Sequence, residues 1–134
     1  MGGKATTAQT ILIVDEDIGF VWWLGDMLKE VGCRVLPALA CGEAVLLTKQ
    51  LGIEPDLIIV NPSLAGTPQM LQFFIHTKSH LQIVTTGAPS KALTASIHVG
   101  AILERPSANE PAIRGQWLEK LRKLTRQAEV VGAG

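Results

Sequence analysis

What this sequence lacks narrows its reading first. Twelve Lys+Arg balance twelve Asp+Glu, a formal net charge of +0, so no net field draws the chain to nucleic acid or to an anionic membrane. No apolar run approaches the roughly 20 residues that span a bilayer. Met1 to Thr10 has no apolar signal-peptide core, which makes a cytoplasmic location the expectation. Met1-Gly2 with Thr6 formally fits a myristoylation pattern, but a flexible start over residues 1–9 explains so short a match better. There is no Gly-rich phosphate loop, no Ser/His/Asp set and no internal repeat. His76 and His80 lie four apart without an evident third ligand, so a zinc site is not expected.

Cysteine is scarce as well. Cys33 and Cys41 flank an apparent strand, and eight extended residues span about 26 Å. A disulfide needs Cα atoms within about 7 Å, so the two are expected as buried or half-buried thiols.

What is present is a folded core. The chain of 134 residues is 47% hydrophobic, one domain able to bury roughly two thirds of its unfolded surface. Its axis is Pro55-Asp56-Leu57-Ile58-Ile59-Val60-Asn61. A short apolar run between turn signals suits a strand buried on both faces of a parallel sheet. That strand delivers one polar side chain, Asn61, at its carboxyl end, the edge where open α/β sheets gather ligands.

Around this axis the chain alternates. Ile11 to Val14 reads as a strand. Phe20, Leu24, Met27/Leu28 and Val31 then repeat at helical spacing and stop at Gly32. Cys33 to Leu39 predicts a second strand. Gly42 to Leu51 predicts a second helix, its apolar face supplied by Val45, Leu46 and Leu47. Helix three follows at about Gln69 to Thr77, with Met70, Leu71, Phe73 and Phe74. Strand four is Leu81 to Thr86. Ser90 caps a short helix carrying Leu93 and Ile97 and broken by Gly100. Ile102-Leu103 is a fifth strand, and a last helix begins at Asn109 to Pro111, with Ile113, Trp117, Leu121 and Leu124 on one stripe. Five strands alternating with five helices predict a doubly wound parallel α/β sheet over residues 10–127. Residues 128–134 are expected to form a flexible end.

Four polar positions follow four strands: Asp15/Glu16, Asn61, Thr86 and Arg105. A parallel sheet brings all of them to one edge. The pieces resemble the receiver domain of two-component response regulators. Ile11 to Asp17 resembles its acidic start, and Pro55 to Asn61 its phosphoacceptor strand. Leu64 and Gly66 match the loop that follows, Thr86-Gly87 resembles the switch threonine and its small neighbour, and Gly100-Ala101 with Arg105-Pro106 resembles the end of the pattern. The resemblance implies a flavodoxin-like sheet of order 2-1-3-4-5, a signalling rather than an enzymatic role, and protein partners such as a histidine kinase or an output protein.

The departures from that pattern carry the functional expectation. The family phosphorylates an aspartate where this chain has Asn61, and an amide offers no carboxylate nucleophile. Deamidation cannot readily restore one, because Pro62 has no N–H with which to attack. The resemblance places magnesium at Asp15 and Glu16. The family's three carboxylates and lysine sum to −2, whereas Asp15, Glu16, Asn61 and Arg105 sum to −1. No cofactor is therefore required, and only a weakened magnesium site is left open. Arg105 replaces a lysine with a rigid fork suited to carboxylates, within expected reach of Asp15 or Glu16. Ile102 stands where the family has an aromatic rotor, and the segment from Gly100-Ala101 to the base is two residues shorter.

Two further features bear on partners. Trp22, on the flank of helix one with Lys29, is either an exposed anchor for a partner or second copy or a lid folded onto the core. Arg114, Lys120, Arg122, Lys123 and Arg126 in the last helix read as a solvated face rather than a nucleic-acid surface. The expected function is a phosphorylation-deficient receiver-like module acting through protein binding, with its oligomeric state left open. The alternatives are a fold-alike holding a small anion or nucleotide, and an ordinary receiver with an engineered Asp-to-Asn change.

Overall fold

In the computed structural model the apolar runs form β1 (Thr10–Val14), β2 (Arg34–Ala38), β3 (Leu57–Val60), β4 (Gln82–Thr85) and β5 (Ala101–Ile102). Between and after them lie α1 (Ile18–Glu30), α2 (Cys41–Leu51), α3 (Thr67–Thr77), α4 (Lys91–Ser96) and α5 (Pro111–Ala133). The structure describes residues 8–77, 80–105 and 111–133, with the backbone alone at 111–112 and 126–133. Gly2 and Thr6 of the N-terminal pattern, Pro106 of the base–Pro pair and Asn109 before α5 lie outside the described residues, as does the side chain of Arg126.

The sheet is parallel throughout, in the expected order β2-β1-β3-β4-β5. Side chains alternate across a strand, so a continuous apolar run feeds two cores. Ile11, Ile13, Leu57 and Ile59 pack under α1 and α5 with Leu24, Leu28, Trp117 and Leu121. Leu12, Val14, Ile58 and Val60 pack under α2, α3 and α4 with Ala44, Met70, Leu71 and Phe74. That double burial is why Ile11 to Val14 of β1 and Leu57 to Val60 of β3 run without a polar residue.

The helix signals hold where side chains act locally. Ser90 Oγ accepts the Leu93 N–H at 3.1 Å and caps α4. Beyond α2, Gly52 takes φ 64°, the left-handed C-cap that a side chain resists. Cys33 is half-buried and Cys41 buried, neither in a disulfide. Among the described residues no helix is long and apolar enough to cross a membrane.

Three expectations are corrected. The buried face of α2 is Cys41, Ala44 and Thr48, not Val45-Leu46-Leu47. Three consecutive residues span about 200° of helix, so they cannot share a face, and Leu46 is 55% exposed. The helix α4 ends at Ser96, before Gly100, because Ile97 leaves helical geometry at φ −136°, ψ 133° and still buries its side chain. Strand β5 is Ala101–Ile102, although Leu103 adds one more backbone bond to Thr85. The backbone of α5 stays helical to Ala133, past the residue-127 boundary expected for the domain.

Under α1 and α5 an aromatic cluster closes one core. The Trp117 ring lies 5.3 Å from Trp23 and 6.0 Å edge-on from Phe20, and Trp117 is almost wholly buried. Replacing Trp117 with Ala is expected to cost about 3–5 kcal/mol, read by urea unfolding at unchanged m-value. Leu46→Ala should stay within about 0.5 kcal/mol. Equal losses would contradict this packing.

Candidate functional site

The backbone ladder sets three polar side chains on one rung. The Asp15 N–H donates to Ala38 O at 3.1 Å, the Asn61 N–H to Val14 O at 3.0 Å and the Thr86 N–H to Val60 O at 3.0 Å. Each residue is therefore the first beyond its strand, on neighbouring strands in register. The fourth, Arg105, lies three residues past β5 and reaches the segment after β1.

Arg105 is held on three sides. One guanidinium nitrogen donates to Asp17 Oδ2 at 2.5 Å, the other lies 3.6 Å from Asp15 Oδ2, and the guanidinium carbon sits 4.3 Å from the Phe20 ring centroid. The expectation of Asp15 or Glu16 as partner is half right. Asp15 takes part, Asp17 makes the closer bond, and exposed Glu16 makes no ion pair among the described residues.

The local turn explains this choice. Asp15 Oδ1 accepts the Asp17 N–H at 3.0 Å, and Asp17 Oδ1 accepts the Phe20 N–H at 3.1 Å as the N-cap of α1. These bonds fold residues 15 and 17 toward the site and leave Glu16 in water. They also place Phe20, one turn into α1, beneath Arg105. The Phe20 N–H, followed by the Arg105 side chain, holds the Asp17 carboxyl below its ordinary value of 3.8.

Asp15 and Thr86 differ in kind from this clamp. Asp15 is 1% exposed and its Oδ2 accepts no hydrogen bond. At 3.6 Å the Arg105 contact is beyond hydrogen-bond range, so the guanidinium compensates its charge only. The buried Thr86 hydroxyl has no protein partner among the described residues. Ile102, three residues before Arg105, is 48% exposed, an aliphatic side chain already half in water.

Asn61 is engaged within its own loop. Its Oδ1 accepts both the Ser63 N–H at 3.0 Å and the Ser63 hydroxyl at 2.6 Å, an Asx turn. Sequence reasoning missed Ser63, Asp17 and Phe20. The first had a signal, since Asn-Pro-Ser is turn chemistry, and so did Asp17, an N-cap type placed before an apolar repeat. Phe20 had none.

This donor set does not suit magnesium. The oxygens of Asp15 face the Asp17 N–H and the Arg105 cation, and Asn61 Oδ1 is bound to Ser63. Among the described residues no three His, Cys, Asp or Glu side chains are grouped to hold a metal. The nearby Cys41 thiol is buried, and burial pushes its pKa up, partly opposed by its contact with the Thr67 hydroxyl.

Comparison with known proteins agrees with the fold. No family model matches the sequence, and no curated protein matches it significantly. The signal receiver domain of an HD domain-containing protein from Pseudomonas fluorescens Pf-5 superposes with TM-score 0.73 at 20% identity, covering 98% of this chain and 97% of that one. A CheY-like response regulator receiver domain protein from Methanospirillum hungatei JF-1 gives 0.69 at 21%, covering 92% and 98%. A receiver domain protein from Clostridium thermocellum gives 0.68 at 12%, with the same coverage. The fold is the CheY-like receiver fold of response regulators. At such identities the likeness carries the fold, not the site.

The clamp makes a pH prediction with a definite sign. A carboxyl whose folded pKa is lowered contributes stability above its unfolded pKa and loses it as pH falls through the folded value. Wild type should therefore exceed Asp17→Asn in melting temperature at neutral pH, with the gap closing once pH drops below 3.8. Asn keeps the capping oxygen, so a gap that persists in acid would place the effect outside the Asp17 charge.

Proposed function

We propose that this chain is a receiver-like signalling module that takes no phosphoryl group at Asn61, requires no magnesium, is not an enzyme and acts by binding other proteins. The observation that carries the proposal is the double acceptance at Asn61 Oδ1. A receiver's chemistry begins with a free carboxylate oxygen attacking a phosphoryl donor. Here the position has an amide whose oxygen is already bound twice.

The Arg105 clamp supports the same reading. A base that is to draw in a phosphoryl group must be available, whereas Arg105 already faces two carboxylates and a ring. The clamp also weighs against a small anion or nucleotide at this edge, because Arg105 already faces the carboxylates of Asp15 and Asp17. Histidine kinases and output proteins are the partner classes that a receiver fold suggests. Arg114 pairs with Glu30 of the same chain at 3.1 Å, which supports reading it as part of a solvated face and not of a nucleic-acid site. A cytoplasmic setting fits such partners.

Incubation with acetyl phosphate and magnesium, followed by intact-mass measurement, should leave the mass unchanged. A gain of one phosphoryl group mapped to the Asn61 loop would overturn the proposal.

The Asn61→Asp variant separates trigger from relay. It restores a nucleophile, so slow labelling by the same donor is expected. Propagation needs more: a ligand shifts an equilibrium only by its differential affinity for two states. Arg105 would first have to leave Asp15 and Asp17, and half-exposed Ile102 has no ring to bury. Amide NMR of the labelled variant should show shifts around residues 61–66 and few at Leu93, Ile97 and Ile102. Large concerted shifts at those three would mean that only the trigger is missing.

A further inference from the structure

Exposed apolar surface gathers at the β2 edge of the sheet. Ile18, Trp22 and Leu39 are 57%, 65% and 38% exposed. They line one open groove of about 260 Å³ with Gly25, Lys29 and Pro37. Trp22 is thus exposed and is not a lid folded onto the core.

The strand itself limits what can cover this edge. The Arg34 N–H donates inward to Gln9 O at 2.8 Å, and Ala38 O accepts inward from the Asp15 N–H at 3.1 Å. By strand alternation Val35 and Pro37 turn their backbone groups outward, and proline has no N–H to offer. A further strand cannot complete a ladder here. Coverage must come through side chains.

The seam along α1 has the pattern for it. Ile18, Trp22, Gly25 and Lys29 are spaced by four, three and four residues, the alternation of a helix–helix seam. Gly25 lies in the middle, packed so that an added Cβ would sit 3.6 Å from Val35 Cγ1. Gly25 is buried against β2 and forms the floor of the groove, between the exposed Trp22 and Lys29. Asp26 and Lys29 put both signs of charge on the same groove.

We propose that the α1–β2 face is a homodimer interface, with α1 lying antiparallel to α1 of a second copy through the exposed Trp22, Asp26 and Lys29. A two-fold contact uses one patch twice and needs that patch to be self-complementary. Centred between residues 25 and 26, the crossing sets Trp22 of each copy against Lys29 of the other, a cation over an indole face. It also brings Asp26 within about one helical turn of the same ammonium. A partner of a single charge sign would oppose either Asp26 or Lys29, whereas a second copy presents both in reversed order. The net charge of +0 leaves no long-range repulsion between copies. None of this depends on whether Asn61 can be phosphorylated.

Sedimentation equilibrium of the full chain over a range of concentrations tests the interface. The wild type should show a monomer–dimer equilibrium. Trp22→Glu and Lys29→Glu should each raise the dimer dissociation constant more than about tenfold, while Leu46→Glu, on exposed α2 surface, should leave it unchanged. Circular dichroism melts establish that each variant is folded. Should Trp22→Glu fail to fold, Asp26→Cys decides: oxidation should give a covalent dimer, and Leu46→Cys should give none. A wild type that stays monomeric, a folded Trp22→Glu that dimerises as tightly as wild type, or no cross-link through Asp26→Cys would each overturn the proposal.

Discussion

The arrangement of the site depends on one guanidinium. Arg105 joins the end of the last strand to the segment after the first, with Asp17 at 2.5 Å, Asp15 at 3.6 Å and the Phe20 ring beneath it. The shorter contact is not the more important one. Asp17 stands half in water, where solvent screens an ion pair heavily. Asp15 is buried, and a buried carboxylate without a counter-charge is costly. Its cost falls below the about 3–5 kcal/mol of a fully buried pair, because Arg105 itself remains a third exposed. The longer arm therefore governs why Arg105 stays, and the shorter arm fixes its direction.

Lysine in this place would act differently. A compact ammonium on a flexible stem makes one point contact and moves readily. The planar fork of Arg105 can face two carboxylates and lie flat on Phe20 at once, so withdrawing it breaks three contacts together. The strong hydration of an ammonium would also favour leaving the ring. The substitution of fork for point charge and the loss of a carboxylate at Asn61 act in the same direction, toward a site with one arrangement.

The sheet was legible in the sequence because burial on both faces forces uninterrupted apolar runs, and Ile11 to Val14 and Leu57 to Val60 have no other common use. The strand-end residues Asp15, Asn61, Thr86 and Arg105 were legible for the same reason, since topology alone brings them to one edge. What stayed hidden was rotational. The face of α2 was misread because Val45, Leu46 and Leu47 are all apolar, while Ala44 and Thr48 carry the burial. Asp15 was foreseen as a partner of Arg105, but the closer partner Asp17 was not, because Asp15, Glu16 and Asp17 are chemically alike and only the capping turn decides which of them face the site. Phe20 beneath the guanidinium follows from that turn and cannot be inferred before it.

A switch requires two arrangements of comparable free energy that a ligand can tell apart. In this site the groups that would distinguish them are mostly spoken for: Asn61 by Ser63, Asp15 by the Asp17 N–H, Arg105 by its clamp. Among the described residues the Thr86 hydroxyl has no protein partner and Asp15 Oδ2 has the Arg105 charge alone, and one hydroxyl, worth about 0.5–1.5 kcal/mol per net hydrogen bond, cannot by itself reverse a population set by several contacts. A domain whose interior offers one state can still carry information by what it holds on its surface. Its exposed Trp22, set on α1 beside a strand that cannot extend the sheet, lies on the same helix that Asp17 caps and Phe20 ties to Arg105. The contacts that immobilise the site thereby also fix the orientation of α1, and a fixed helix binds with less entropy to lose than a mobile one.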